Sequence, residues 1–183
     1  MIYHCDYADE EALDLLEAAK DRVFTGPAVG LVAGAAREPA RRQHRRRAGI
    51  YLERLKPLYE ATCRTHNEMR KRGIRIVVGG DYGFAANPQG TNARDLEHFV
   101  THFGFSPSEA LQAATRTGGE IMQRGHELGL VKAGLSRRSA AGRRRSARRT
   151  FACCRTTKRF AFIMKGGVRY LPCEGTPHVR RVH

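Results

Sequence analysis

The sequence predicts an α/β fold built on parallel strands, and three observations lead to that prediction. Short apolar runs alternate with helical patterns in the order strand, helix, strand, helix, strand from the start of the chain to Val78. The run from Ile74 to Val78 is apolar except at Arg75, which is typical of a strand covered on both faces. Two glycines and a carboxylate, Asp81, follow that run directly. This order indicates right-handed crossovers and a parallel sheet.

The first elements are predicted from caps and apolar spacing. Asp9 can cap a first helix whose first turn is acidic and whose end is basic, the charge order that the helix dipole favours. A short strand is then predicted from Val23 to Thr25. Apolar residues at helical spacing predict a second helix from Pro57 to Arg72, ended by Gly73.

The second half of the chain is predicted to be helical first and then to form a hairpin. Ser106 and Glu109 make a capping box with proline between them, which predicts a helix through Met122. Two adjacent glycines weaken that helix unless another backbone packs closely against them. Near the end, Phe160 to Lys165 and Val168 to Leu171 flank a Gly-Gly pair, which predicts a two-residue hairpin.

The positive charge of the chain is concentrated in two segments. The chain has 183 residues with a formal net charge of +15. Arg37 to Arg47 holds six arginines and one glutamate, and Ser136 to Arg159 holds ten basic residues and no acid. Removing both segments from the 33 basic and 18 acidic residues leaves 17 of each. The basicity therefore belongs to the two segments and not to the rest of the fold.

Two interpretations of these arginine-rich segments stay open. Arginine, alanine, glycine and serine are what GC-rich codons give when they are translated out of frame, so both segments are interpreted as frame-shifted or disordered. The alternative is a nucleic-acid-binding protein, because arginine runs neutralise phosphates and release counterions. Apart from Phe151, the two runs contain no aromatic residue, so they do not interleave arginines with aromatic residues that stack on bases, which makes nucleic acid the weaker interpretation.

The cysteines and the chain start bear on the compartment. The five cysteines are an odd number and show no CxxC spacing, so reduced, partly buried thiols are expected instead of a zinc finger or a disulfide framework. No apolar run approaches the length that spans a membrane, and no charged and then apolar leader precedes His4. The expected location is the cytoplasm, with no membrane partner.

Several segments, in the right order, resemble the carboxyl-terminal part of the metal-dependent amidohydrolases of the imidazolonepropionase and Xaa-Pro dipeptidase type. The stretch IYHCDYADEEALDLLEAAKDRVFTGPAVG is similar to the sixth barrel strand of that family with its histidine, the helix after it and the seventh strand. GGDYGF resembles the eighth strand with its aspartate, and SPSEALQAATRTGGEIM resembles the helix that follows. ELGLVKAGL and AFIMKGGVRYL resemble the exit from the barrel and the last hairpin of a small β domain.

The resemblance implies a division of the chain into three parts. Residues 1–135 would form the carboxyl-terminal portion of a (β/α)8 TIM-type barrel, with about three strands and the basic insert 37–47. Residues 136–159 would be an arginine-rich stretch that is disordered or frame-shifted, and residues 160–183 a terminal β hairpin and tail. A complete barrel takes about 250 residues. The chain is therefore expected to be a fragment, completed by a missing barrel half or by a homo-oligomer, or else an inactive truncated product.

The resemblance also implies a divalent metal, zinc, and the residues that would hold it. His4 matches the histidine of the sixth strand and is the expected metal ligand, although a histidine so near the chain start can also be inert. Asp81 matches the aspartate of the eighth strand and would bind metal, take a proton from the attacking water, or do both. The remaining ligands of the family are expected upstream of Met1, and a catalytic zinc normally has three protein ligands.

The loop after Asp81 supplies the candidate substrate-binding residues. Asn87, Gln89, Thr91 and Asn92 overhang the same mouth of the predicted sheet and can bind polar groups of a small-molecule or dipeptide-like substrate, although such residues are also ordinary loop formers. His98 and His102 stand four residues apart on a helix, but the glutamate of an HExxH motif is absent between them, so a surface pair is expected. The implied reaction is metal-assisted hydrolysis of an amide or other non-ester C–N bond.

Overall fold

A computed structural model describes residues 1–30, 33, 45–83, 87–135, 138–142, 151, 160–165, 168–170 and 179–181. This part of the chain contains the helices α1 (Glu10–Ala18), α2 (Arg45–Lys71), α3 (Arg94–His102), α4 (Pro107–Ala114) and α5 (Arg116–Ile121). It also contains six strands: β1 (Ile2–Tyr3), β2 (Thr25–Gly26), β3 (Arg138–Gly142), β4 (Phe160–Lys165), β5 (Val168–Tyr170) and β6 (Val179–Arg181).

The first three extended segments pair in parallel and in chain order. β1 pairs with β2, with Ile2 opposite Thr25. β2 then forms a parallel bridge with Ile76, closed on both sides by bonds of 2.9 Å between Thr25 and the backbone of the third segment. The predicted parallel pairing is confirmed, although the predicted strand from Ile74 to Val78 is reduced to this one bridge. The second strand lies at Thr25–Gly26 instead of at residues 23–25.

The helix caps lie where the sequence predicts them. The Asp9 carboxylate accepts a hydrogen bond from the Ala12 amide at 2.9 Å at the start of α1. Ser106 and Glu109 form the full capping box at the start of α4. Gly73 follows the end of α2 with φ of +73°, the left-handed conformation that a helix-ending glycine adopts. These ends were readable because a cap is a local arrangement of two or three residues.

The start of α2 corrects the prediction. The helix begins at Arg45 and contains Pro57, which the prediction places at the helix start. A proline inside a helix removes one hydrogen bond and disfavours the preceding turn. The run from Ala48 to Lys56, directly before the proline, includes good helix formers, and the helix continues through Pro57. Of the predicted basic insert 37–47, residues 45–47 therefore begin a helix, and residues 37–44 lie outside the described residues.

The helix predicted from Ser106 to Met122 is divided in two at Thr115. The Thr115 hydroxyl donates to the Leu111 carbonyl at 2.8 Å, and the chain re-enters helical conformation at Arg116. A Cβ built on Gly119 would lie 2.7 Å from the Leu128 carbonyl oxygen. The close approach of a second backbone at this glycine, which the sequence makes a condition for the helix, is confirmed.

A four-stranded antiparallel sheet in the order β3-β4-β5-β6 forms the last part of the described chain. The predicted pairing of β4 with β5 is confirmed, with Lys165 opposite Val168, while Gly166 and Gly167 lie outside the described residues. β3 lies inside the arginine-rich stretch 136–159, and these five residues form a strand where disorder or a frame shift is predicted. β3 pairs antiparallel with β4, with Ser139 opposite Met164.

The core lies between α1, the third parallel segment and the helices from α2 to α4. Phe99 of α3 and Phe103, which directly follows α3, are fully buried there with Met69 of α2. Phe151 belongs to the same cluster although it comes from the arginine-rich stretch, because it is a large apolar side chain in an otherwise polar run. The other members are Leu13, Leu16, Val29, Ala33, Ile74, Ile76, Leu96, Ala110 and Ala113.

Two sequence expectations concern the thiols and the membrane. Cys5 and Cys63 are free and partly buried, as expected, and burial raises the pKa of both thiols. Cys153, Cys154 and Cys173 lie outside the described residues. Over the described part of the chain, no helix combines the length and the apolar character that crossing a bilayer requires.

Candidate functional site at the carboxyl ends of the parallel strands

Parallel pairing brings the predicted site residues to one edge of the sheet. His4 directly follows β1, Gly30 follows β2 by four residues, and Asp81 follows the bridge residue Ile76 by five. The carboxyl ends of parallel strands meet at one edge, which is where α/β proteins place their sites. The topology therefore puts His4 and Asp81 on the same edge.

His4 is exposed and stands beside a carboxylate. Its backbone amide donates to the Gly26 carbonyl at 2.9 Å, so the chain is still fixed to β2 at this residue. The His4 side chain is 56% exposed, and its Nδ1 lies 4.0 Å from Asp6 Oδ2, an ion-pair distance. Asp6 is in turn held by the Thr62 hydroxyl of α2, which donates to Oδ1 at 2.7 Å. The sequence reasoning missed Asp6, because nothing local distinguishes it from other loop carboxylates.

Asp81 is exposed in a turn that Asn87 braces. Its φ is +52°, a left-handed conformation that a residue with a Cβ rarely adopts. Asn87 is almost fully buried, and its Nδ2 donates to the Gly80 carbonyl at 2.5 Å and to the Asp81 carbonyl at 3.0 Å. The Gly83 amide donates to the Asn87 carbonyl at 2.9 Å. The Asn87 side chain therefore fixes the turn on which Asp81 stands.

The other loop candidates also bond to backbone. Gln89 Nε2 donates to the Tyr82 carbonyl at 3.1 Å, and the Thr91 hydroxyl donates to the Pro88 carbonyl at 2.7 Å. The Asn92 carbonyl accepts from the Asp95 amide at 3.2 Å, just before α3. These bonds are those of turn-forming residues. Substrate binding by Asn87, Gln89, Thr91 and Asn92 stays a prediction.

A buried carboxylate beside the Asp81 turn escaped the sequence reasoning. Asp95, in the first turn of α3, has no exposed surface, and its Oδ1 accepts from the Tyr82 hydroxyl at 2.7 Å. Burial raises the pKa of Asp95 to about 6, while the bond from Tyr82 acts in the opposite direction. Burial and the neighbouring Asp95 raise the pKa of Tyr82, so its hydroxyl keeps its proton. Acidic residues are common in the first turn of a helix because they interact favourably with the helix dipole. No local sequence pattern therefore shows that Asp95 is buried.

Two histidines are more buried than expected. His66 of α2 is fully buried and stacks on Phe103, with ring centroids 5.1 Å apart. Its Nδ1 lies 2.9 Å from the Thr62 carbonyl, so Nδ1 carries the proton, and burial lowers its pKa. The surface pair predicted at His98 and His102 is wrong for His98, which is buried and stacks on His102 at 5.4 Å. The helix face that carries His98 packs inward, which helical spacing alone does not reveal.

The donors at the edge suit zinc in kind but not in number. Imidazole nitrogen and carboxylate oxygen are ordinary zinc ligands, and a carboxylate beside one ring nitrogen of a ligating histidine leaves the other for the metal. Among the described residues, however, no group of three or more His, Cys, Asp or Glu side chains is arranged to hold a metal ion. His4 and Asp81 therefore do not form a complete catalytic zinc site by themselves.

Comparison with known proteins shows a shared fold. The sequence matches no family model and no curated protein. Among solved structures it is similar to the A. niger ochratoxinase, with a TM-score of 0.71 and 20% identity over 91% of this chain. It is also similar to a Xaa-Pro dipeptidase with bound methionine in its active site, with a TM-score of 0.69 and 18% identity over 93% of this chain. An amidohydrolase gives a TM-score of 0.72 and 16% identity over 93% of this chain.

These similarities cover only part of each solved structure. The chain spans 36% of the ochratoxinase and 39% of the dipeptidase and of the amidohydrolase. The described chain therefore has the fold of a part of these amidohydrolase-fold proteins.

Proposed function

We propose that this chain carries the carboxyl-terminal part of the active site of a metal-dependent hydrolase. The proposed reaction is hydrolysis of an amide or other non-ester C–N bond in a small, dipeptide-like molecule. His4 and Asp81 are two of the proposed zinc ligands, and Asp81 is also the proposed acceptor of a proton from the attacking water. A zinc ion bound there would lower the pKa of its water and polarise the scissile carbonyl.

The observation that carries this proposal is the backbone conformation at both ligands. Among the described residues, four that are not glycine have positive φ: His4, Cys5, Asp81 and Gln123. His4 and Cys5 directly follow β1, and Asp81 lies five residues after the bridge residue Ile76, at the same edge of the sheet. The left-handed conformation costs roughly 1–2 kcal/mol for a residue with a Cβ, and such strain concentrates at functional sites.

The surroundings of the two ligands support the proposal. Asp6 beside His4 is placed to hold one ring nitrogen, and Thr62 holds Asp6 from the opposite side. Asn87 and Asp95 surround the turn of Asp81. Each proposed ligand thus has neighbours that restrict its orientation, as the ligands of metal sites do.

The remaining ligands have to come from outside the described residues. Ile2 and Tyr3 of β1 are 44% and 69% exposed, so the outer side of β1 presents apolar surface to solvent. We propose that a missing barrel half, or a second copy of the chain, covers this edge and completes the site. The similarity to a Xaa-Pro dipeptidase supports the dipeptide-like substrate class. The free thiols at Cys5 and Cys63 support the cytoplasm as the compartment.

Hydrolysis by the purified chain tests the proposal. The chain would be stripped of metal, reconstituted with zinc and assayed on Xaa-Pro dipeptides and N-acylated amino acids. If a second copy of the chain completes the site, we expect zinc-dependent release of the amino acid, lost in Asp81→Asn and in His4→Ala. Matched controls are Asp21→Asn and His126→Ala, which alter an exposed carboxylate and an exposed histidine. Release that Asp81→Asn leaves unchanged would overturn the proposal, and for a monomeric chain so would zinc binding that Asp81→Asn and His4→Ala both leave unchanged.

A further inference from the structure

The carboxylate of Asp95 is buried in a way that destabilises the folded chain. It has no exposed surface, and its Oδ2 has no hydrogen-bond partner among the described residues. A buried carboxylate oxygen without a partner is unfavourable, because the charge loses its hydration and gains little in return. An apolar side chain of similar volume would avoid that cost. A residue kept in this state calls for a role other than packing.

Asp95 packs directly against the residue before Asp81. A Cβ built on Gly80 would lie 2.5 Å from Asp95 Oδ2 and 2.5 Å from Tyr82 Cε2. A Cβ built on the preceding glycine, Gly79, would meet nothing within 4 Å. The contact is therefore specific to Gly80, and only a residue without a side chain allows it.

The same carboxylate connects the turn to the end of β2. A Cβ built on Gly30 would lie 2.9 Å from Asp95 Oδ1, 3.1 Å from Asn87 Nδ2 and 3.1 Å from the Gly80 carbonyl oxygen. Tyr82, on the other side of Asp81, donates its hydroxyl to Asp95 Oδ1 at 2.7 Å. Asp95 thus contacts the residues on both sides of Asp81 and the glycine that follows β2. None of these contacts is to Asp81 itself.

We propose that Asp95 is a positioning residue that, through Tyr82 and Gly80, holds the turn in the left-handed conformation that presents the Asp81 carboxylate at the site. The conformation at Asp81, with φ of +52°, persists only if the surrounding structure determines it. Asn87 fixes the two carbonyl groups of the turn, and Asp95 fixes the flanking side chain and the glycine. The catalytic meaning of this role rests on the proposed function, whereas the hold on the turn does not.

Two substitutions at Asp95 separate positioning from stability. Asp95→Asn keeps the volume and an acceptor for the Tyr82 hydroxyl, whereas Asp95→Leu removes the acceptor and is larger. Both remove the buried charge, and Asp95→Asn, which also keeps the shape, is not expected to lower the melting temperature of the full chain. We expect the Gly83 amide, which bonds to the Asn87 carbonyl, to exchange its hydrogen at least tenfold faster in Asp95→Leu. In Asp95→Asn the exchange rate should stay within threefold of the parent chain.

The zinc-dependent hydrolysis assay adds the catalytic readout. We expect Asp95→Leu to lower kcat at least tenfold with KM nearly unchanged, and Asp95→Asn to restore most of kcat. Unchanged Gly83 exchange in a folded Asp95→Leu chain would overturn the positioning role. Faster Gly83 exchange in Asp95→Leu, in a chain that shows no zinc-dependent hydrolysis, would support the positioning role of Asp95 and count against the proposed function.

Glycine substitutions provide a second test that leaves Asp95 in place. Gly80→Ala inserts a methyl group between Asp95 and Tyr82, whereas Gly79→Ala is the matched control, one residue away in open space. Gly80→Ala should accelerate Gly83 exchange as Asp95→Leu does, and Gly79→Ala should not. Equal exchange rates in the two alanine variants would contradict the proposal, and this comparison decides the question if Asp95→Leu does not fold.

Discussion

At the scale of single residues, two neighbouring glycines in α5 have opposite surroundings. A Cβ on Gly119 would lie 2.7 Å from the Leu128 carbonyl oxygen, and backbone cannot move aside as a flexible side chain can. A Cβ on Gly118 would meet nothing within 4 Å. The sequence shows only two glycines in a helix, and the difference between them comes from a contact with a residue nine positions further on.

Alanine substitutions test this difference. We expect Gly119→Ala to lower the free energy of unfolding by roughly 1–3 kcal/mol, the usual cost of overpacking. Gly118→Ala should leave it unchanged or raise it by up to about 1 kcal/mol, because alanine favours the helix. Urea unfolding of both variants measures the effect. Equal destabilisation by the two substitutions would show that Leu128 does not approach α5 in this way.

The buried carboxylate of Asp95 predicts a specific pH dependence of stability. Its pKa is about 6 in the folded chain against an ordinary value of 3.8, so the folded state binds the proton more tightly. The stabilising contribution of the protonated form is therefore complete below about pH 4 and is lost as the pH rises through 6. The Tyr82 hydroxyl, which faces Asp95, stays protonated throughout this range because its own pKa is raised.

Unfolding curves of the parent chain and of Asp95→Asn, measured between pH 4 and 7, test this prediction. A shift of one pKa unit corresponds to about 1.4 kcal/mol. As the pH rises from 4 to 7, the free energy of unfolding of Asp95→Asn should therefore increase by roughly 3 kcal/mol relative to that of the parent chain. Because both chains share every other titrating group, the difference isolates Asp95. A difference that does not change with pH would mean that Asp95 is solvated.

At the scale of elements, Arg72 connects the end of α2 to α1. Its guanidinium donates to Asp14 Oδ1 at 2.7 Å and also bonds to Glu10 of α1 and to Glu68 of α2. These bonds raise the pKa of Arg72. Lys71, the preceding residue, makes only a local pair with Glu68 at 3.1 Å. Arg72 therefore connects α1 with α2, whereas the pair between Lys71 and Glu68 lies within α2.

Substituting each cation with methionine tests this connection. Arg72→Met should lower the melting temperature clearly more than Lys71→Met at low salt, because it removes several ion pairs at once. The gap between the two variants should narrow at roughly 1 M salt, where the Debye length falls to about 3 Å. If the two variants melt together at low salt, the α1 to α2 ion pairs do not contribute to stability.

The elements also show which parts of the fold a sequence can reveal. The caps at Asp9, Ser106 and Gly73 were predicted because each is a local arrangement whose hydrogen bonds close within a few residues. The course of α2 through Pro57 and the break at Thr115 were not predicted, because the helix formers before Pro57 outweigh its cost and because helical spacing does not show the bond from the Thr115 hydroxyl to the Leu111 carbonyl. His4 and Asp81 came from resemblance to a family, whereas Asp6 and Asp95 depend on burial by residues more than ten positions away and left no local signal.

At the scale of the whole molecule, the described chain is part of an amidohydrolase-type fold with a separate antiparallel sheet. It spans about two fifths of the solved structures that it resembles. Its three parallel segments bring His4 and Asp81 to one edge, but among the described residues no group of three or more His, Cys, Asp or Glu side chains is arranged to hold a metal ion. The frame-shift and nucleic-acid interpretations of the arginine-rich segments stay predictions, because most of residues 37–47 and 136–159 lie outside the described residues.

The central claim is that His4 and Asp81, distant in the sequence, belong to one metal site. Isothermal titration of the metal-free chain with zinc tests it most directly, with His4→Ala, Asp81→Asn and the double variant measured alongside, and with His126→Ala as the control for surface histidines. We predict one saturable binding event that each single substitution weakens and that the double variant weakens by less than the sum of the two, since residues of one site are not additive. Zinc binding that is the same in the parent and in both single variants would contradict the account.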